Sequence, residues 1–243
     1  MFRSRILYSL ACFVLLSYSE IGLADNPLNH NGVSRVNDPY VQPLEREIEL
    51  RTFYQNDDDP REDGLLRQSI TYGFSLNERI FAEAYLKGER LPGQSFELAA
   101  YELEAKIQLS EQGQYAIDWG MLFEYEREFS ESIAELGTVL IASKQLGPWV
   151  ATVNAGIEYE FGSDIKNEID TFLGVQWRYR YRETLEPGIE LYADELTRGI
   201  GPVLTGLVRG QGKSKWYWEA GLIAPLNDTT PDSTWRFLLE YEF

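Results

Sequence analysis

Glu102 and Glu104, Glu124 and Glu126, and Glu158 beside Glu160 stand in the short runs "ELE", "EYE" and "EYE". Two-residue spacing puts both carboxylates of a pair on one face of an extended strand. Carboxylates gathered in this way can attract small cations, hold Ca²⁺, or act as an acid and base pair on a glycosidic bond. They can equally form ion pairs with nearby bases and do nothing more. Arg178 and Arg180, in "WRYRYR", are the matching basic pair. The spacing is that of any strand face, so it does not choose among these chemistries.

Other chemistries are removed by what the chain lacks. Its only histidine is His30 and its only cysteine is Cys12. A Ser–His–acid site built on the main body is therefore excluded, as are zinc or copper sites of His, Cys or Met. The formal net charge of −17 argues against nucleic acid as a partner. No cofactor or nucleotide motif is visible, and no enzymatic activity is expected.

The first 24 residues read as a cleaved secretory signal. Arg3 and Arg5 precede the apolar run "ILYSLACFVLL", and "GLA" precedes Asp25. Removing residues 1–24 takes away Arg3, Arg5, Glu20 and the cysteine, leaving 20 basic and 38 acidic residues. Residues 25–43, "DNPLNHNGVSRVNDPYVQP", are polar with three prolines and read as a flexible periplasmic lead-in. Residues 44–243 then form one domain.

In that domain hydrophobicity alternates with a period of two. "YAIDWGMLFEYERE" places Tyr115, Ile117, Trp119, Met121, Phe123 and Tyr125 opposite Asp118, Gly120, Glu124 and Glu126. Turn signals such as "NDDDPREDG", "SEQGQ" and "GQGKS" divide the run. The expected strands are 44–55, 65–75, 79–89, 95–109, 114–128, 132–145, 148–161, 167–182, 186–193, 201–209, 214–223 and 233–243. The segments are long, with aromatic residues toward their ends and aliphatic ones between. A charged face this dense cannot be packed dry, because unpaired buried charge costs too much. An all-β, antiparallel up-and-down barrel of about twelve strands, with lipid outside and a hydrated interior, satisfies both faces.

The last strand, "TWRFLLEYEF", carries the most specific signal. Phe237, Leu239, Tyr241 and Phe243 alternate to the final residue. This resembles the C-terminal recognition signal of bacterial outer-membrane β-barrel proteins. The resemblance implies insertion in the Gram-negative outer membrane by its assembly machinery, among membrane lipid and lipopolysaccharide. It also implies periplasmic termini, with the longer connections, such as "QNDDDPRED" and "APLNDTTPDS", facing out of the cell.

The expected inner face carries the acidic pairs, opposed by Arg51, Arg67, Arg79, Lys87, Lys106, Arg178, Arg180, Arg182 and Arg236. Gly73, Gly120, Gly137, Gly156, Gly174, Gly188, Gly206 and Gly221 also fall inward. Such glycines either leave the lumen open or serve curvature and the seating of neighbouring rings. Twelve strands enclose a narrow passage at most, and no long loop offers itself as a plug. The plan resembles twelve-stranded porins, including those for acidic sugars, whose lumens are arginine-rich; here the lumen is acidic. The expectation is a narrow passive channel for small cations or cationic solutes. Its selectivity would be set by Glu102, Glu104, Glu124, Glu126 and Glu158, with Arg178 and Arg180 near the periplasmic mouth. The alternative is a structural or complex-forming barrel without transport.

Overall fold

The computed structural model describes residues 35–60, 63–163 and 165–243. The expected signal segment, His30 and the start of the lead-in lie outside these. Twelve antiparallel strands follow in order: β1 (Arg46–Asn56), β2 (Leu66–Ser75), β3 (Ile80–Arg90), β4 (Glu97–Gln108), β5 (Asp118–Glu128), β6 (Ile133–Leu146), β7 (Trp149–Gly162), β8 (Glu168–Tyr179), β9 (Glu186–Ala193), β10 (Arg198–Arg209), β11 (Lys215–Pro225) and β12 (Ser233–Glu242). Each pairs with its neighbours in sequence, and β12 pairs with β1 to close the barrel. Closure leaves no unpaired edge, which a wall in hydrocarbon requires.

The alternation dictates which way each residue points. Ile48, Leu50, Ile70, Leu103, Leu136, Ile157, Leu173, Leu204 and Phe237 stand exposed on the outer wall. Aromatic residues band both ends of it. Trp149, Trp177, Tyr179, Trp216, Tyr241 and Phe243 cluster at the end where β1 begins and β12 finishes, called here the terminal end. Tyr101, Tyr125, Phe129, Tyr159 and Phe161 do so at the far end. An apolar belt between two aromatic girdles is the outer surface of a lipid-embedded barrel. Leu173 sits within that belt, 37% exposed. Leu173→Arg is therefore expected to cost about 2–4 kcal/mol at mid-membrane. Urea unfolding from lipid vesicles measures this, and an unchanged midpoint would mean that Leu173 does not meet lipid.

Strand tilt organises the interior. One hydrogen-bonded row runs Glu47, Gly73, Glu83, Glu104, Glu124, Gly137, Glu158 and Asp170, from β1 to β8. Glu47 lies at the terminal end and Asp170 near the far end, because tilted strands carry a perpendicular row upward. Six carboxylates thus follow one path across the barrel wall.

Several boundaries differ from the sequence expectation, each for a local reason. β5 begins at Asp118 rather than 114, so Tyr115 and Ile117 lie in the nine-residue connection after β4. β8 stops at Tyr179, and only one isolated bridge, Arg182 with Leu185, holds the bend that follows. β10 starts at Arg198, ahead of Gly201 and Pro202, where its ladder to β11 is interrupted. Proline brings no N–H to the ladder, which hides such a strand from its pattern. The nine-residue connection also removes the expected rule that all turns at the terminal end are shorter.

Candidate functional site: an acidic vestibule above an internal strap

Residues 35–43 correct the expectation of a lead-in clear of the barrel. They run inside the lumen at its terminal end, as a strap laid across the inner wall. Asn154 on β7 clamps it: Asn37 N–H donates to Asn154 Oδ1 (2.6 Å), and Asn154 Nδ2 donates back to Asn37 O (2.9 Å). One side-chain amide thereby satisfies both polar groups of a backbone peptide position, as a strand partner would. Val41 N–H donates to Gln108 Oε1 on β4 (2.8 Å), and Tyr40 OH donates to Asp118 Oδ2 on β5 (2.8 Å). Val36 is buried with Tyr192 and Ile223. At the strap's start Arg35 pairs with Glu49 (3.1 Å) and Glu240 (3.7 Å) and lies over the ring of Tyr217.

Two of the inward glycines, Gly120 and Gly174, are seats of this strap. A Cβ on Gly120 would lie 2.9 Å from Pro39 Cα, and one on Gly174 would lie 3.3 Å from Val36 Cγ2. Gly73 and Gly156 lie under the rings of Phe81 and Phe172. Gly206 does not face inward at all: Thr205 beside it pairs with Glu219 on the lumen side, and Trp218 covers Gly206 on the outer wall. Gly206 shares the outward parity of the exposed Ile200, Leu204 and Val208, which corrects the inward expectation for this glycine.

Above the strap the lumen opens into a cavity of about 140 Å³, with Arg35 and Asn37 among its lining. Seven glutamates and four cations line it, so the wall is net negative. All four cations are engaged. Arg51 donates to Glu49 from Nε (3.0 Å) and from Nη2 (2.7 Å). Arg67 pairs with Glu89 (3.6 Å), Arg35 with Glu49, and the Lys87 ammonium is held between Glu102 and Glu126. Glu104 accepts the Tyr85 hydroxyl at 3.2 Å. Glu158 is only 7% exposed and takes neither hydrogen bond nor ion pair from the described residues. A side recess of about 10 Å³ is lined by Glu102, Glu124, Glu126, Glu135, Glu158 and Gly137.

The five expected glutamates, Glu102, Glu104, Glu124, Glu126 and Glu158, thus all line one cavity. The basic pair expected near the periplasmic mouth does not line this cavity. Arg178 Nη1 and Arg180 Nε both turn to Glu186, at 3.1 and 3.7 Å, near the terminal mouth. Arg180 and Arg182 lie beyond β8, and Arg79 is exposed in the turn before β3, paired with Glu111 (2.6 Å). The bases that do reach the cavity, Arg51, Arg67 and Lys87, come from β1, β2 and β3. Phe53, Tyr85 and Phe172 supply aromatic lining that carboxylate spacing could not reveal. At the far rim the acidic character continues: the charge of Asp58, with slight burial and Asp57, raises the pKa of Asp232.

A second cluster, whose Tyr192 packs on Val36 of the strap, braces the barrel. Arg236 on β12 pairs with Glu190 and with Glu219 (2.6 Å) and donates to the Tyr192 hydroxyl. Tyr192 OH donates to Glu190 (2.6 Å), Gln176 Nε2 to Glu190 (2.7 Å), and Tyr217 OH to Glu219 (3.1 Å). The Arg236 side chain is fully buried. Such a network ties β8, β9, β11 and β12 together through the lumen.

Phe237, Leu239, Tyr241 and Phe243 all stand on the outer face, where β12 meets β1 and β11. Phe243 N–H donates to Arg46 O across that seam (2.9 Å).

No protein-family model and no curated protein sequence matches the chain. Solved structures do match its fold. An outer membrane channel from Pseudomonas putida F1 aligns with a TM-score of 0.56 at 12% identity, over 84% of this chain and 97% of that one. The KdgM porin aligns with a TM-score of 0.54 at 14% identity, over 81% and 99%. The same porin in complex with disordered oligogalacturonate gives 0.53 at 12% identity, over 81% and 98%. Identities this low carry the fold alone. The closed wall, the apolar belt and these likenesses together make the chain a twelve-stranded barrel of the outer-membrane porin and channel fold.

Proposed function

We propose that the protein sits in the Gram-negative outer membrane, after signal cleavage and insertion by the assembly machinery through its C-terminal strand. There it forms a narrow passive channel for small cations or cationic solutes. The single observation that carries this reading is the net charge of the vestibule wall, where seven glutamates face four cations that are already paired. A low-dielectric wall focuses the field of that excess onto anything entering from the far end, which on this reading faces outward. The porin described with oligogalacturonate handles an acidic oligosaccharide. Such a cargo would meet repulsion from Glu102, Glu104, Glu124 and Glu158 here.

Planar-bilayer recording across a salt gradient tests the reading. The full chain and a form lacking residues 25–43 are compared side by side. A cation-selective reversal potential, moved toward zero by Glu102→Gln/Glu104→Gln, is the expected result. Anion selectivity in either form would overturn it.

The strap supports a second reading. A lumen filled by residues 35–43 also suits a barrel that conducts nothing and serves as an envelope anchor or complex partner. A silent bilayer in both forms, with insertion verified, would establish that alternative.

A further inference from the structure

Among the vestibule carboxylates without a hydrogen bond or ion pair from the described residues, Glu158 is the most deeply buried, and its surroundings define what could reach it. Glu158 is more than nine-tenths buried, faces both the cavity and its side recess, and accepts nothing from the described residues. A charged group so enclosed is stable only when a counter-charge or donor reaches it. Lys87 reaches it only through its field, since its ammonium makes direct contact with Glu102 and Glu126.

The recess holds about 10 Å³, room for one water-sized group. Among the described residues no three acidic, histidine or cysteine side chains come together closely enough to hold a metal ion. Calcium draws its oxygens in to about 2.3–2.6 Å, whereas an ammonium is satisfied by hydrogen bonds of about 2.7–2.9 Å along three directions. Carboxylates spaced too widely for the metal therefore still suit the ammonium. Lys87 between Glu102 and Glu126 is the protein's own example of that recognition.

The larger cavity sets the rest of the ligand. It continues from the recess past Phe172, Phe53 and Tyr85, which suits a short aliphatic stem and offers ring faces to a second cation. Arg51, Arg67 and Arg35 are already neutralised by Glu49 and Glu89, so the cavity offers no free anion-binding fork for a carboxylate tail. We propose that the vestibule binds a compact aliphatic amine or diamine, with one primary ammonium in the recess against Glu158 and Glu124. This deepens the cation-favouring reading above and rests on it for the sign of the charge.

The test is calorimetric titration of 1,4-diaminobutane into the full chain folded in detergent micelles, with succinate, 1,4-butanediol and calcium chloride as comparison ligands. Binding needs no conduction, so its failure is separable from failure of the channel reading. The expected result is a dissociation constant near 1 mM, weakened about fivefold or more by Glu158→Gln. Glu124→Gln should weaken it as well, with both variants retaining heat-modifiable migration on a gel. A folded full chain that takes up no diamine, while conducting cations, overturns this proposal and leaves the channel intact. Equal affinity in Glu158→Gln, or displacement of the diamine by calcium at lower concentration, also overturns it.

Discussion

Removing residues 25–43 is expected to raise single-channel conductance by about tenfold or more, because ions cross a lumen only where water fills it. The strap occupies the terminal end with buried apolar groups, Val36, Pro39 and Val41, which exclude water from the path. It is held by specific partners rather than by mere proximity: the Asn154 clamp, Gln108, Asp118 and the bare backbone at Gly120. Barrel-side changes that evict the strap should therefore mimic the deletion. Asn154→Leu leaves the Asn37 N–H and C=O without partners, and Gly120→Leu drives a side chain into Pro39. Planar-bilayer conductance of all three forms decides the matter. Equal conductance in the full chain and the deleted form would show that the strap is no barrier.

Arg236→Leu is expected to destabilise the folded barrel by about 3–5 kcal/mol, the cost of leaving buried charge without its partner. The substitution abandons Glu190 and Glu219 together, both almost wholly buried. It also removes the cation lying 5.5 Å from the centre of the Tyr192 ring. Adding Glu190→Gln and Glu219→Gln to the same chain should recover most of the loss, since the orphaned charges are then gone. Reversible unfolding by urea in micelles or vesicles measures both variants. A single variant as stable as the parent, or a triple variant no better than the single, would assign the bracing to something other than this cluster.

These two effects concern the same design from opposite sides. A twelve-stranded wall cannot fill its own interior from side chains as an eight-stranded one can. Here part of the filling comes from ion clusters anchored to the wall, and part from the segment before β1. What remains open is the far half, where the carboxylates of β4, β5 and β7 meet the bases of β1, β2 and β3.

The alternation of Trp119, Met121, Phe123 and Tyr125 against Asp118, Gly120, Glu124 and Glu126 determined the lipid and lumen faces of β5 from sequence alone. The same held along most of the wall, because a strand has one period and a membrane demands a consistent outer face. Glu102, Glu104, Glu124, Glu126 and Glu158 could be assigned to one interior for that reason. Their arrival in a single cavity could not, since strand tilt sets which level of β4 faces which level of β7. Gly206 falls on the outer face, against the inward expectation, with the exposed Ile200, Leu204 and Val208 whose parity it shares. Residues 35–43 were the largest surprise. A polar, proline-containing stretch carries no periodic signal, and its place depends on Asn154, Gln108, Asp118 and Gly120, scattered over three strands. Local pattern determined the wall; the closing of the barrel around its own N-terminal segment, which brings those distant residues to one surface, decided what fills it.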